Sequence, residues 1–314
     1  MKKGYALFLL FILLLAVYPL IFTNPFPRHL FIMIMLYGVM GIGWNILGGY
    51  GGQVSFGNAS FFGVGAYTSA ILLTKLAVSP WIGLAAGCGA SVVLALLVGY
   101  PCFRLKGHYF AIATIAVGEI LLLLFMCWEL VGAAVGIYLP MLPESFGNFE
   151  FHTSKLPYYY IMLAIFVLAI IVCYAVERSR MGYYLRALKD DPDGARSLGI
   201  SIQKYKMYAF CVAAILTSMC GTFYSQYVLY IDPTSTFSLM ISIHVCIISL
   251  IGGLGRLMGP VVGAFVFIPL TELTRVYLGS EGQGVDLMLY STLMIVLAIL
   301  RPQGLWGLFA RSAR

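Results

Sequence analysis

The chain has 314 residues, 61% of them hydrophobic and only 10% charged, with a formal net charge of +7. Soluble domains carry about 25% charged residues, so a globular protein surrounded by water on every side is excluded. What remains is a polytopic integral membrane protein, read as a single transmembrane domain over residues 1–314.

Apolar runs of roughly 20 residues, the length that carries a helix across a ~30 Å hydrocarbon core, recur along the chain. Barrel strands alternate apolar and polar residues over about 10 positions. The run "YALFLLFILLLAVYPLIF" does not alternate, so the expected fold class is all-α. That run, residues 5–22, follows Lys2 and Lys3 and is too long for the apolar region of a signal peptide. The following "TNPFPRHL" offers no small-x-small cleavage site, so a retained first span is expected. Further spans are predicted at 30–47, 53–74, 81–100, 109–128, 157–176, 207–228, 237–252, 259–278 and 285–300, about ten in all.

Placing Lys2 and Lys3 in the cytoplasm fixes the side of every later loop. The outer side then keeps only Arg28, Lys75, Lys155 and Arg275 of the 19 basic residues, and the inner side holds the rest. Cytoplasmic loops of membrane proteins carry this excess of Lys and Arg. Both termini are therefore expected in the cytoplasm, including a basic tail over 301–314. The positive charge is a topology signal, and nucleic-acid binding is not expected. Two loops are long: an acidic outer one over 129–156, with Glu129, Glu144 and Glu150, and an inner one over 177–206.

Small residues recur every fourth position in several spans: Gly83, Gly87, Ser91, Ala95 and Gly99; Ala213, Thr217, Gly221 and Ser225; Gly255, Gly259 and Gly263. Such stripes let helix backbones approach closely in lipid and point to packing. The seven cysteines form no C-x-x-C pair and the four histidines no ligand spacing, so neither a zinc nor a redox site is expected.

The stretch "GGYGGQVSFGNASFFGVGAY", residues 48–67, is rich in glycine yet carries no lysine of the kind that reaches a phosphate. A glycine cluster costs a helix about 1 kcal/mol per residue relative to alanine, so a helix break is expected here. Broken backbone at membrane depth packs on protein or lines a wet cavity, and transporters place such breaks at their substrate path. On that reading Asn45, Gln53, Ser55, Asn58 and Ser60 are path candidates. The alternative is a cytoplasmic turn leading into a tightly packed helix, and both descriptions can hold together.

Glu119 lies mid-span in "GHYFAIATIAVGEILLLLF" with no partner in its own helix. A charge at the bilayer centre costs about 2.5–3.5 kcal/mol, so it needs a protein partner, a wet cavity or a proton, and it joins the path candidates. Glu272 is spaced for a structural i,i+3 pair with Arg275.

The inner loop reads "ERSRMGYYLRALKDDPDGARSLGISIQKYK". A short basic amphipathic helix is expected over 180–188. Asp190, Asp191, Pro192 and Asp193 then suit the start of a second helix, with Ala195 and Leu198 as its apolar side and Gly199 as its C-cap. Two short helices of this kind make a docking surface.

The segment "DGARSLG", residues 193–199, resembles the E-A-A-x-x-x-G coupling motif of ABC importer permeases, with Gly194 replacing the central alanine and without the usual downstream I-x-L-P. The loop around it, together with "GWNILGGYGGQVSFGNASFFGVGAY", "GHYFAIATIAVGE" and "LIGGLGRLMGPVVGA", is similar to the branched-chain amino-acid permeases of the LivM type over most of residues 30–305. Family members often have a Thr-Gly-Gly segment after the fifth span, where this chain reads "ELVGAAVGIYLP" and offers fewer polar groups. The resemblance implies a non-enzymatic importer subunit of a bacterial inner membrane. Its partners would be a second homologous permease, two cytoplasmic ATPases and a periplasmic binding protein, and it would need no cofactor, ATP being bound by the ATPases. It also implies that Arg186, Asp190, Asp191, Asp193, Ala195, Leu198 and Gly199 serve ATPase coupling. Urea or small amides stay open as cargo, as does an ATPase-independent transporter or channel using Glu119. An intramembrane enzyme is not expected, because no catalytic constellation falls within the spans.

Overall fold

The computed structural model describes residues 2–21, 24–105, 107–151 and 153–278, together with 288, 292, 304, 305 and 307. The span predicted at 285–300 and the tail over 301–314 lie almost wholly outside the described residues, and so does the Arg275 side chain on which the Glu272 pair rests.

Helices follow one another as α1 (Lys2–Ile21), α2 (Pro25–Asn45), α3 (Asn58–Leu76), α4 (Pro80–Cys102), α5 (His108–Cys127), α6 (Leu156–Arg178), α7 (Arg180–Asp190), α8 (Pro192–Ser197), α9 (Ile202–Val228), α10 (Pro233–Thr236), α11 (Leu239–Gly252) and α12 (Gly259–Leu278). Proline opens α2, α4, α6, α8 and α10 within the first turn. Its missing N–H is one of the donors a helix start leaves unpaired anyway. Among the described residues, seven helices are long and apolar enough to cross a membrane, counting α2 through Tyr50 and α10–α11 as one. The chain is thus a mostly helical, multi-pass membrane protein.

The third predicted span starts later than expected. Residues 51–57 are not helical and α3 begins at Asn58, so Gln53 and Ser55 lie in the connection and not in a span. The preceding helix runs on through a π-helical turn, Ile46–Tyr50. A small antiparallel pair, β1 (Ile137–Tyr138) with β2 (Tyr230–Ile231), is the one sheet among the described residues and lies in the 129–156 loop's contact with the end of α9. The sequence pattern predicts helices only.

α3, α4 and α9 pack against one another, while α2 is enclosed by α6, α9, α11 and α12. Lipid offers no hydrophobic drive between helices, so close backbone approach and dispersion hold them together. The α4 stripe Gly83, Gly87, Ser91, Ala95 and Gly99 is buried throughout, and so is the α9 stripe Ala213, Thr217, Gly221 and Ser225. At the α3–α9 contact a Cβ on Gly221 would stand 2.0 Å from the Phe62 carbonyl, and one on Gly65 2.3 Å from the Ser218 carbonyl. The third stripe is only partly a helix feature. Gly255 sits in the turn before α12 with φ +68°, whereas Gly259 and Gly263 lie in α12 against α11.

Candidate functional site

The π turn at the end of α2 is the centre of a cluster at one end of the bundle. π turns leave backbone groups without regular partners and recur at functional positions. Asn45 clasps the turn between α11 and α12: its Oδ1 accepts from Gly255 N at 2.9 Å and its Nδ2 donates to the Arg256 carbonyl at 3.0 Å. A Cβ on Gly49 would lie 1.9 Å from that Oδ1 and 2.5 Å from Gly255 N, so only glycine lets the two segments meet. Asn45 is therefore placed in a helix-to-turn brace.

The connection beyond it is held from several helices. Trp44 Nε1 donates to the Ser55 carbonyl at 2.7 Å, and Phe56 N donates to Thr114 Oγ1 of α5 at 3.0 Å. Ser55 Oγ accepts from Gly57 N at 3.2 Å. Gln53 Oε1 accepts from Lys206 Nζ of α9 at 2.7 Å. At the start of α3, Ala59 N donates to Ser242 Oγ of α11 at 2.9 Å. Sequence reasoning did not single out Trp44, Thr114, Lys206 or Ser242. Their partners lie far away in the chain, and no spacing rule reports such contacts.

Two polar atoms at the break stay unpaired. Asn58 Nδ2 and Ser60 Oγ are buried without a hydrogen-bond partner among the described residues. Leaving such a group unpaired costs about 1–3 kcal/mol. Ser60 lines a small cavity together with Gly57, Leu94, Thr114 and Phe210. The break thus brings Gln53, Ser55, Asn58 and Ser60 together in a short buried stretch.

Glu119 lies elsewhere, on the exposed face of α5. It follows Ile112 and Ala116 and precedes Leu123 on a stripe that no other described element covers. It is therefore not an interior group of this chain, and the structure does not bring it to Asn58.

The 177–206 loop folds as α7 and α8 against the same end of the bundle. Leu185 and Leu188 are buried, and a Cβ on Gly51 would stand 3.4 Å from Leu185 Cδ2. Arg186 donates to Glu177 Oε1 at 2.7 Å and its guanidinium lies 5.2 Å from the Tyr50 ring centre, so its charge is engaged within the chain. Lys189 Nζ donates to the Gly49 carbonyl at 2.9 Å. α8 begins as the acids and proline require: Asp191 accepts from Asp193 N and Gly194 N at 3.1 and 3.0 Å. Asp190 ends α7 and Asp193 sits in the first turn of α8, both exposed. Gly199, with φ +80°, closes α8: Gly199 N donates to the Arg196 carbonyl and Ile200 N to that of Ala195. This is the paired geometry of a glycine-terminated helix. Ala195 and Leu198 do not form one apolar side. Ala195 is 4% exposed and packs inward, whereas Leu198 is 83% exposed and forms the tip.

The sequence profile described as "Branched-chain amino acid transport system / permease component" matches residues 27–298. Among individual relatives, the high-affinity branched-chain amino acid transport system permease protein LivM of Salmonella typhimurium is 29% identical, covering 95% of this chain and 74% of that protein. LivM of Escherichia coli K12 is 28% identical with the same coverage. The permease protein LivH of Escherichia coli K12 is 24% identical over 86% of this chain and 91% of that protein. No solved structure matches the chain significantly. A profile match across most of the length, over the break, the α7–α8 loop and the spans that carry them, places the chain in the family of branched-chain amino acid transport system permease components.

Proposed function

We propose that this chain is one of two permease subunits of an ATP-driven importer for branched-chain or related small amino acids. It works in a bacterial inner membrane with about ten spans and both termini in the cytoplasm. Two ATPases dock on the 177–206 loop, and a periplasmic binding protein delivers cargo to the opposite side. The chain binds no ATP and needs no cofactor in this reading.

The observation that carries the proposal is the order of the 177–206 loop. α8 is capped at both ends, α7 is fixed to the π turn through Lys189, and Leu198 projects outward at 83% exposure. A capped helix with an apolar tip is a shape for insertion into a partner's groove. That the chain resembles both LivM and LivH of Escherichia coli, two permease proteins of like-named systems, supports pairing with a second, related subunit. The path runs past the break at residues 51–60, where Asn58 and Ser60 offer unpaired polar groups. Glu119 belongs to the seam with the second permease, where protein and water replace the lipid that a carboxylate disfavours.

The test is purification of the tagged chain from cells expressing the neighbouring reading frames. Two ATPase chains and a second permease should accompany it in defined ratio. Recovery of the chain alone, with transport intact, contradicts the proposal. A second reading, an ATPase-independent carrier, rests on the exposed mid-span position of Glu119. It requires proton- or ion-driven uptake that fails in Glu119→Gln.

A further inference from the structure

The stems on either side of α8 each send one ammonium group to the break. From α7, Lys189 Nζ donates to the Gly49 carbonyl at 2.9 Å, and from the first turns of α9, Lys206 Nζ donates to Gln53 Oε1 at 2.7 Å. Gly49 lies in the last turn of the α2–π helix, where carbonyls have no intrahelical donor and the helix dipole is negative. A cation therefore binds this end through both a hydrogen bond and the field. Gln53 is 7% exposed, so its bond to Lys206 is shielded from competing water. A Cβ on Gly52 would come within 2.9 Å of Lys189 Cγ, which shows how closely the lysine stem lies on the backbone.

We infer that Lys189 and Lys206 are positioning residues for transport: they tie residues 49–53 to both stems of the 177–206 loop and carry a displacement of α8 into the broken segment. This rests on the importer reading above. Both lysines bond to groups within this chain. With both bonds in place, a shift of α8 that moves the α7 and α9 stems pulls on the carbonyl of Gly49 and the side chain of Gln53. From Gln53 the chain leads directly to Ser55, whose carbonyl holds Trp44, and on to α3. Arg186, bound to Glu177 and stacked over Tyr50, braces the same turn but makes no hydrogen bond to residues 49–53.

The experiment uses the assembled importer in lipid vesicles and compares wild type with Lys189→Met, Lys206→Met, the double variant, and Lys189→Arg. Cargo uptake per ATP hydrolysed is the readout, with ATPase co-purification measured alongside. The double variant should lose coupling at least about tenfold, the order expected for losing charge-assisted bonds. ATPase chains stay bound and hydrolysing, and Lys189→Arg recovers most of the ratio. A ratio within about twofold of wild type in the double variant overturns the inference. So does parallel loss of the ATPase chains and uptake, which would make the lysines assembly residues. Should the methionine variants not fold, paired spin labels on Ser197→Cys and Val54→Cys, with Cys127→Ser, test the same link with both lysines present. Both sites are exposed, and Ser197 lies on α8 beside the docking tip. The two labels should shift together on nucleotide binding, and a moving label at 197 with a static one at 54 overturns the inference. Wild-type protein that recruits no ATPase at all defeats the importer reading itself, a result distinct from either.

Discussion

The two long loops are both ordered, but by different physics. The 177–206 loop is built from two short helices and reaches the bundle with charged side chains: Lys189 to Gly49, Lys206 to Gln53, and Arg186 over Tyr50. The 129–156 loop is built from turns and left-handed residues, Gly132, Ala133 and Gly136 among them, and is held largely through backbone carbonyls. Trp81 Nε1 donates to the Phe146 carbonyl, Ser79 Oγ to that of Gly147, and Leu139 N to that of Leu229. Its acids are not all surface charges either. Glu150 is fully buried and accepts from Leu142 N at 2.7 Å. In the importer proposed above, short helices with long-range tethers suit a unit that moves as a body and passes on force, and a network of turns pinned along its length suits a cover.

The largest expected effect lies at the tip of the first loop. Leu198 has little contact with its own chain, so Leu198→Asp should leave the fold intact. Its loss from an apolar groove should weaken ATPase binding by more than tenfold, as for a central interface residue, seen as absent co-purification. If the ATPases remain bound, α8 is not the docking element. Next comes the break: Asn58→Leu should reduce uptake on the order of tenfold, the worth of one buried polar contact, while ATPase binding is unchanged. Unchanged uptake would remove Asn58 from the path.

The second loop should respond in stability and not in coupling. A Cβ on Gly136, whose φ is +80°, would stand 2.2 Å from the Ile231 carbonyl. Gly136→Ala should therefore cost about 1–3 kcal/mol, read as a lower melting temperature in detergent, with uptake per ATP preserved among molecules that stay folded. Loss of coupling in this variant would erase the contrast between the loops. Asp191→Ala removes the cap of α8 and should cost about 1 kcal/mol locally, visible as faster amide exchange over 193–198.

The smallest effect is one of pH. Asp232 is pushed up by partial burial, but hydrogen bonds from Ser235 and Thr234 outweigh this and hold it below the usual carboxylate range. A depressed folded value means that its contribution is fully present above the ordinary carboxylate value, about pH 4, and is lost as pH falls through the folded value. Melting temperature should decline less on acidification in Asp232→Asn than in wild type.

Much of this architecture was legible in the sequence, because it depends on local rules. Apolar length located the helices. A four-residue spacing of small residues found the buried sides of α4 and α9. Proline and aspartate marked the start of α8 and glycine its end. The misses share one cause, which is long-range pairing. Asn45 carries no sign that it will clasp Gly255, and Lys206 none that it will reach Gln53. Ala195 and Leu198 look alike as apolar positions, yet one meets the bundle and the other does not. The helix break was visible in its glycines. Its exact extent was not, since α2 continues through a π turn that no residue pattern announces.

The proposed importer moves cargo only when its ATPase chains hydrolyse ATP. The direct measurement is uptake of radiolabelled leucine into vesicles carrying the assembled complex, with the binding protein outside and nucleotide enclosed. Enclosed ATP should drive uptake and enclosed ADP should not. Equal uptake under both conditions would contradict the importer proposal.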